Sequence, residues 1–171
     1  MAGSDVGVRR PLGATDLVSY WGPLVGWLAM IFVFSGDALS ARHTSGFIEP
    51  FIRWILPWAS QPTVYGVHVA IRKLGHVLEY AVLGLLAFRA IRCGRPERFR
   101  ASWAAGAVCI GAAYALVDEL HQSFVASRTG TVSDAVIDVA GCFAAVVLLA
   151  WWRTRGAVGP RRERTDLPSK S

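Results

Sequence analysis

The chain has 171 residues, 53% of them hydrophobic and only 18% charged, with seven Trp and a formal net charge of +6. A soluble domain carries about a quarter charged residues, so this composition points to a membrane. The excess positive charge is arginine set beside apolar runs and no nucleic-acid-binding motif accompanies it, which excludes nucleic acid as a partner.

A transmembrane helix needs about 20 mainly apolar residues. Taken in chain order, four stretches qualify. After a polar amino-terminal segment, residues 1–19, the first span runs from Tyr20 to Gly36 (YWGPLVGWLAMIFVFSG). A rival reading of this region is a cleaved signal peptide, with basic residues, an apolar run and the small-residue stretch Ala38–Ala41. The segment Asp37–Arg72 follows. Its middle, FIEPFIRWILPWA, is too short and too interrupted by Pro50 and Pro57 to cross, and Trp54 and Trp58 suggest an interfacial or re-entrant piece.

The second span runs from Leu74 to Ile91, the third from Ala101 to Val117, and the fourth from Val132 to Trp152. The third and fourth are rich in Ala and Gly, which let helices approach closely in lipid. Residues 153–171 read as a basic tail, disordered from Gly156 onward. The expected fold is therefore all-α and polytopic, with four transmembrane helices in residues 20–152 plus the short interfacial or re-entrant segment.

Basic residues set the orientation. With both termini cytoplasmic, 13 of the 18 Lys and Arg fall on inner segments; Arg42, Arg53, Arg72, Lys73 and Arg128 fall outside. The positive-inside rule favours that arrangement in the plasma membrane. Trp21, Trp103, Trp151 and Trp152 then mark the inner interface. Cys93, Cys109 and Cys142 have neither metal nor redox spacing and receive no chemistry.

The polar residues of the later spans gather at their outer ends. Arg72, Lys73, His76, Glu79 and Tyr80 open the second span, and Asp118, Glu119, His121 and Gln122 close the third. Arg128 lies in the connecting loop, and Asp134 and Asp138 open the fourth. His76 and Glu79, like Asp118 and His121, are three apart, and Asp134 and Asp138 are four apart, so each pair shares a helical face. Ionisable groups at membrane depth usually face a bundle interior or a wet cavity and pair with one another.

Several uses fit this pattern. One is a structural ion network in which Arg72, Lys73 and Arg128 neutralise the carboxylates. A second is recognition of a phosphate or carboxylate head group by those cations, with His76, Glu79, Asp118 and His121 as acid–base candidates. Tyr80, Glu119, Gln122, Arg128, Asp134 and Asp138 join Arg72 and Lys73 as ligand-binding candidates. Acid-x-x-His pairs on facing helices also have the spacing of bundle metal sites, but the nearby cations would repel a metal, and none is assigned. No nucleophile elbow, phosphate-cradling Gly loop or H-E-x-x-H motif is present.

The stretches RKLGHVLEYAVLGLL (Arg72–Leu86) and DELHQSFVASRTGTVSDAVIDVAG (Asp118–Gly141) resemble the VanZ-like family of bacterial membrane proteins. The segment FSGDALSARHTSGFIEPFI resembles the part that follows that family's first helix. The likeness covers roughly residues 20 to 152. In place of the family's common Pro-Gly before the loop Arg, this chain has Ala126 and Ser127, so the loop lacks the rigidity a Pro supplies.

The resemblance implies a cell-envelope role, since the family's namesake is linked to resistance to teicoplanin, a lipid-bearing glycopeptide. The leading expectation is a protein that engages an amphiphile, lipoglycopeptide or lipid-linked precursor at the outer leaflet. A membrane-embedded hydrolase or transferase acting on a lipid-linked head group is the alternative, and a small transporter is a third. Cofactors and oligomeric state stay open.

Overall fold

A computed structural model of the chain describes residues 13–36, 41–97, 99–125 and 131–155, with side chains in the second segment from residue 44 onward. They form five helices: α1 (Ala14–Phe34), α2 (Ala41–Ile55), α3 (Gln61–Arg92), α4 (Ala101–Ser123) and α5 (Val132–Arg155). No strand occurs among the described residues. All but α2 are long and apolar enough to cross a membrane. At 1.5 Å per residue these four are about 32, 48, 34 and 36 Å long, against a hydrocarbon core of about 30 Å. Large apolar side chains cover their outer surfaces: Val25, Val33, Leu78, Leu85, Leu116, Leu120, Phe143 and Leu148 are all exposed. Lipid is the solvent in which such a surface is stable.

Two helices begin earlier than the apolar runs suggest. The first starts at Ala14 instead of Tyr20, because the Asp16 carboxylate accepts the Gly13 N–H at 3.1 Å and caps the first turn. The third starts at Gln61, thirteen residues before Leu74. There the Ser60 hydroxyl accepts the Thr63 N–H at 3.4 Å, and Pro62 supplies a φ suited to a first turn. Arg72 and Lys73 interrupt the apolar run but not the helix. At its other end α3 stops where Cys93 and Gly94 turn left-handed, at φ 47° and 71°. A Cβ on Gly94 would lie 2.5 Å from the Tyr20 hydroxyl, so this end of α3 seats directly on α1.

Pro50 does not break the segment expected to be interrupted. It lies inside α2, and the helix continues to Ile55. Phe47, Phe51, Trp54 and Ile55 recur on one exposed face, whereas Ile52 is buried. An aromatic ridge on a short amphipathic helix suits the interfacial alternative.

In the bundle α3 touches each of the other four helices, and α4 packs on α5. Close approach depends on missing side chains. A Cβ on Gly141 would lie 2.6 Å from the Val77 carbonyl oxygen, and one on Gly111 would lie 2.5 Å from the Cys142 Sγ. The first contact sets backbone against backbone and the second seats the Cys142 side chain against a glycine, as small residues allow between helices in lipid. Side-chain bonds tie the middle of α1 to its neighbours: Trp27 donates to the Glu79 carbonyl at 3.0 Å, and Tyr114 to the Leu28 carbonyl at 2.5 Å.

Antiparallel packing sorts the polar groups into two ends. At one end Arg89 donates to the Ser19 carbonyl at 2.9 Å and stacks over Tyr20, while Arg95 and Arg100 lie over Trp103. Trp103 belongs to this end but is buried, 6% exposed and edge-on to Phe88. Its ring therefore serves the core, whereas Trp21, Trp151 and Trp152 are exposed as interface residues should be. The opposite end carries the polar cluster.

Candidate functional site

Three helices deliver the centre of the cluster. His76 projects from the middle of α3, Asp118 from the last turns of α4, and Asp138 from the second turn of α5. One ligating atom from each lies within 4.8 Å of the others. His76 Nδ1 is 3.2 Å from Asp138 Oδ1. This ion-pair contact engages one oxygen of Asp138 and leaves Oδ2 without a hydrogen-bond partner, although the side chain is 0% exposed. Asp118 is 3% exposed. Its Oδ2 accepts from the Gln122 amide at 2.9 Å, one helical turn on, and its Oδ1 is unsatisfied. The Tyr80 hydroxyl, on a fully buried side chain, has no hydrogen-bond partner either.

Burying a carboxylate costs several kcal/mol unless a counter-charge and hydrogen bonds offset it. Here two carboxylates share one imidazole and one amide. The sequence offered Arg72 and Lys73 as their counter-ions, but neither cation pairs with Asp118 or Asp138 among the described residues. A helical turn explains the difference. Arg72 lies four residues before His76, on the same face but one turn nearer the start of α3, and faces the pocket.

The two cations instead line an adjoining pocket of about 160 Å³ between α3 and α5, together with Tyr65, His68, His76 and Asp134. His76 belongs to both the pocket and the buried triad. His68 is 3% exposed, with Nε2 3.5 Å from the Thr44 hydroxyl and Nδ1 3.9 Å from Glu49, so α2 braces this wall. Sequence reasoning passed over His68 and Tyr65 because it began the span at Leu74. The available signal was spacing: His68, Arg72 and His76 are successive fours on one α3 face.

Other candidates stand apart from the triad. His121 stacks on Phe32 of α1, ring centroids 4.1 Å apart, so it and Asp118 diverge despite their shared spacing. Glu79 is half-buried on α3, where its carbonyl receives the Trp27 bond. Glu119 is half-buried beside Asp118 in sequence, with its carboxylate near the Thr131 backbone N–H and outside the triad. Arg128 lies outside the described residues.

The chemistry available is anion binding at the pocket wall, and proton handling or cation coordination at its inner end, with His76 common to both. No curated protein and no solved structure matched the chain. The family model described as VanZ/LLP1 matches residues 20–153, which takes in α2, α3 and α4 whole, α1 from Tyr20 and α5 as far as Arg153. With that match over most of its length, the chain belongs to the VanZ/LLP1 family of membrane proteins.

Proposed function

We propose that this protein acts at the bacterial cell envelope by holding the anionic head group of an amphiphile in the pocket between α3 and α5. The observation that carries this reading is the pairing of Arg72 and Lys73 on the pocket wall with no carboxylate of the triad neutralising them. A phosphate or carboxylate entering there gains charge-assisted hydrogen bonds that no other described residue makes to these two cations. Tyr65, Val69 and Ile137 complete the wall with apolar surface suited to the start of a lipid tail. Family membership supports an envelope role, and teicoplanin-type resistance is the form of it we infer: a lipid-linked precursor or the lipoglycopeptide itself would be the occupant.

The test is direct titration. Full-length protein in nanodiscs is titrated with a polyprenyl-phosphate lipid, a zwitterionic lipid of equal chain length, and teicoplanin. Replacing Arg72 and Lys73 together by Ala should weaken the anionic ligand at least tenfold, the equivalent of about 1.4 kcal/mol. Equal affinity in wild type and double variant refutes the reading. Expression in a sensitive host, with membrane levels matched, then tests protection against teicoplanin.

A second reading rests on His76. A histidine against a buried aspartate, opening onto a pocket, has the arrangement of a general base and the group that orients it. On that reading the bound head group is hydrolysed or transferred. Mass spectrometry of envelope lipids with and without the protein separates the two, because binding alone leaves the profile unchanged.

A further inference from the structure

We infer that His76, Asp118 and Asp138 form a binding site for one divalent first-row transition cation, zinc foremost. The inference goes beyond the head-group reading and stands without it. Each of the three residues comes from a different helix, so their convergence is a property of the fold and not of local sequence. Only the folded bundle assembles them.

The donor set is specific. An imidazole nitrogen with two carboxylates suits zinc or manganese and is a poor match to calcium or magnesium, which prefer oxygen alone. Donors on one zinc ion sit about 2.0–2.2 Å from it, so tetrahedral partners are separated by roughly 3.4 Å. The present separations, 3.2 Å between His76 and Asp138 and at most 4.8 Å across the group, reach that geometry by side-chain rotation. Three protein donors leave a fourth position, and His76 places it towards the pocket.

Burial supplies the independent evidence. Asp138 is wholly buried, with Oδ1 touching only the His76 imidazole among the described residues and Oδ2 without a partner, and Asp118 is nearly as buried with Oδ1 unpartnered. Buried carboxylates in a low-dielectric interior need a counter-charge, and no Lys or Arg among the described residues pairs with either one. Two carboxylates carry two negative charges, and a divalent cation balances them. The Gln122 amide, donating 2.9 Å to Asp118 Oδ2, then acts as the outer partner that orients a ligating carboxylate. Repulsion by Arg72 and Lys73 was the argument against a metal. From one helical turn away on the pocket wall they still repel a cation, and the two carboxylates, which would touch the ion, outweigh them by their shorter distance.

The experiment uses full-length protein in detergent. Metal content is measured by mass spectrometry after purification and after dialysis with Zn(II) or Mn(II). Thermal stability is recorded before and after chelation. The expected result is close to one equivalent of zinc per chain and a melting temperature that falls on chelation and recovers on adding zinc. Asp118→Asn and Asp138→Asn should each lower zinc affinity at least a hundredfold, whereas Glu97→Gln, at the opposite end of the bundle, should retain it. Wild type that takes up neither metal and melts unchanged on chelation overturns the proposal. So does full-stoichiometry binding by both Asn variants. Should those variants fail to fold, the chelation and re-addition arms on wild type still decide. Head-group titration on the chelated protein separates this proposal from the anion-binding reading, since Arg72 and Lys73 remain in place.

Discussion

Replacing Gly141 by Ala places a methyl group 2.6 Å from the Val77 carbonyl oxygen, 3.0 Å from its Cα and 3.2 Å from its carbonyl carbon. All three are backbone atoms, so no side chain can turn away. Ordinary contact begins near 3.4 Å, which requires α3 and α5 to separate by about 0.8 Å. Overpacking of this kind costs about 1–3 kcal/mol. Ala recovers up to about 1 kcal/mol in helix propensity, leaving a net loss of up to about 2 kcal/mol against wild type and the full cost of about 1–3 kcal/mol against a glycine-to-alanine control that gains propensity without a clash. For a chain of this size the first is a fall of up to roughly 8 °C in melting temperature. The matched control is Gly75→Ala, one residue before His76, where an added Cβ meets nothing within 4 Å. It carries the same propensity gain without the clash and should melt at or above the wild-type temperature. The assay is thermal unfolding of both variants in one detergent, followed by tryptophan fluorescence. If Gly141→Ala is as stable as Gly75→Ala, the close approach of α3 and α5 is wrong. Because Val77 adjoins His76 and Gly141 lies one turn after Asp138, the same substitution should also widen the 3.2 Å gap between them and weaken zinc uptake.

Other expectations are simpler. Gly111→Ala, whose Cβ would sit 2.5 Å from the Cys142 Sγ, should destabilise the protein, and adding Cys142→Ala should restore part of the loss; purely additive melting shifts would contradict that contact. Tyr114→Phe removes the hydrogen bond to the Leu28 carbonyl and should cost about 0.5–1.5 kcal/mol, read as a melting shift of a few degrees. A fluorescent protein fused to the carboxyl terminus should fluoresce in cells while a cysteine placed at Trp58 reacts with an impermeant thiol reagent; the reverse pattern would invert the orientation drawn from the arginine distribution. Phe47→Ser combined with Trp54→Ser should loosen α2 from lipid, detected as faster proteolysis of the 41–60 region in vesicles, with no change if the ridge does not contact the membrane.

The spans were legible because lipid imposes length and apolarity directly on sequence. The start of α3 was not, because Arg72 and Lys73 interrupt hydropathy without interrupting a helix, and the Ser60–Pro62 start signal lies well upstream. That His76, Asp118 and Asp138 lie at one end of the bundle was readable from their places at the span ends. The pairing within the cluster was not, because pairing depends on helix rotation and depth. Spacing treats Asp118 and His121 as one unit, yet packing turns His121 onto Phe32 and Asp118 towards His76. For the same reason Arg72 and Lys73 read as counter-ions in sequence and line a pocket in space.

The length of α3 has a consequence for how a ligand arrives. A helix of about 48 Å exceeds the hydrocarbon core by about 18 Å, and Arg89 and Arg92 hold its far end at the other interface. The surplus therefore falls near the start of the helix, and the wall carrying Tyr65, His68 and Arg72 stands at the level of lipid head groups. On the head-group reading proposed above, an amphiphile anchored by its tail would diffuse in that layer and meet the pocket in two dimensions, at an effective concentration far above its bulk value. Weak intrinsic affinity then suffices for occupancy, and water-soluble analogues of the same head group should bind poorly by comparison.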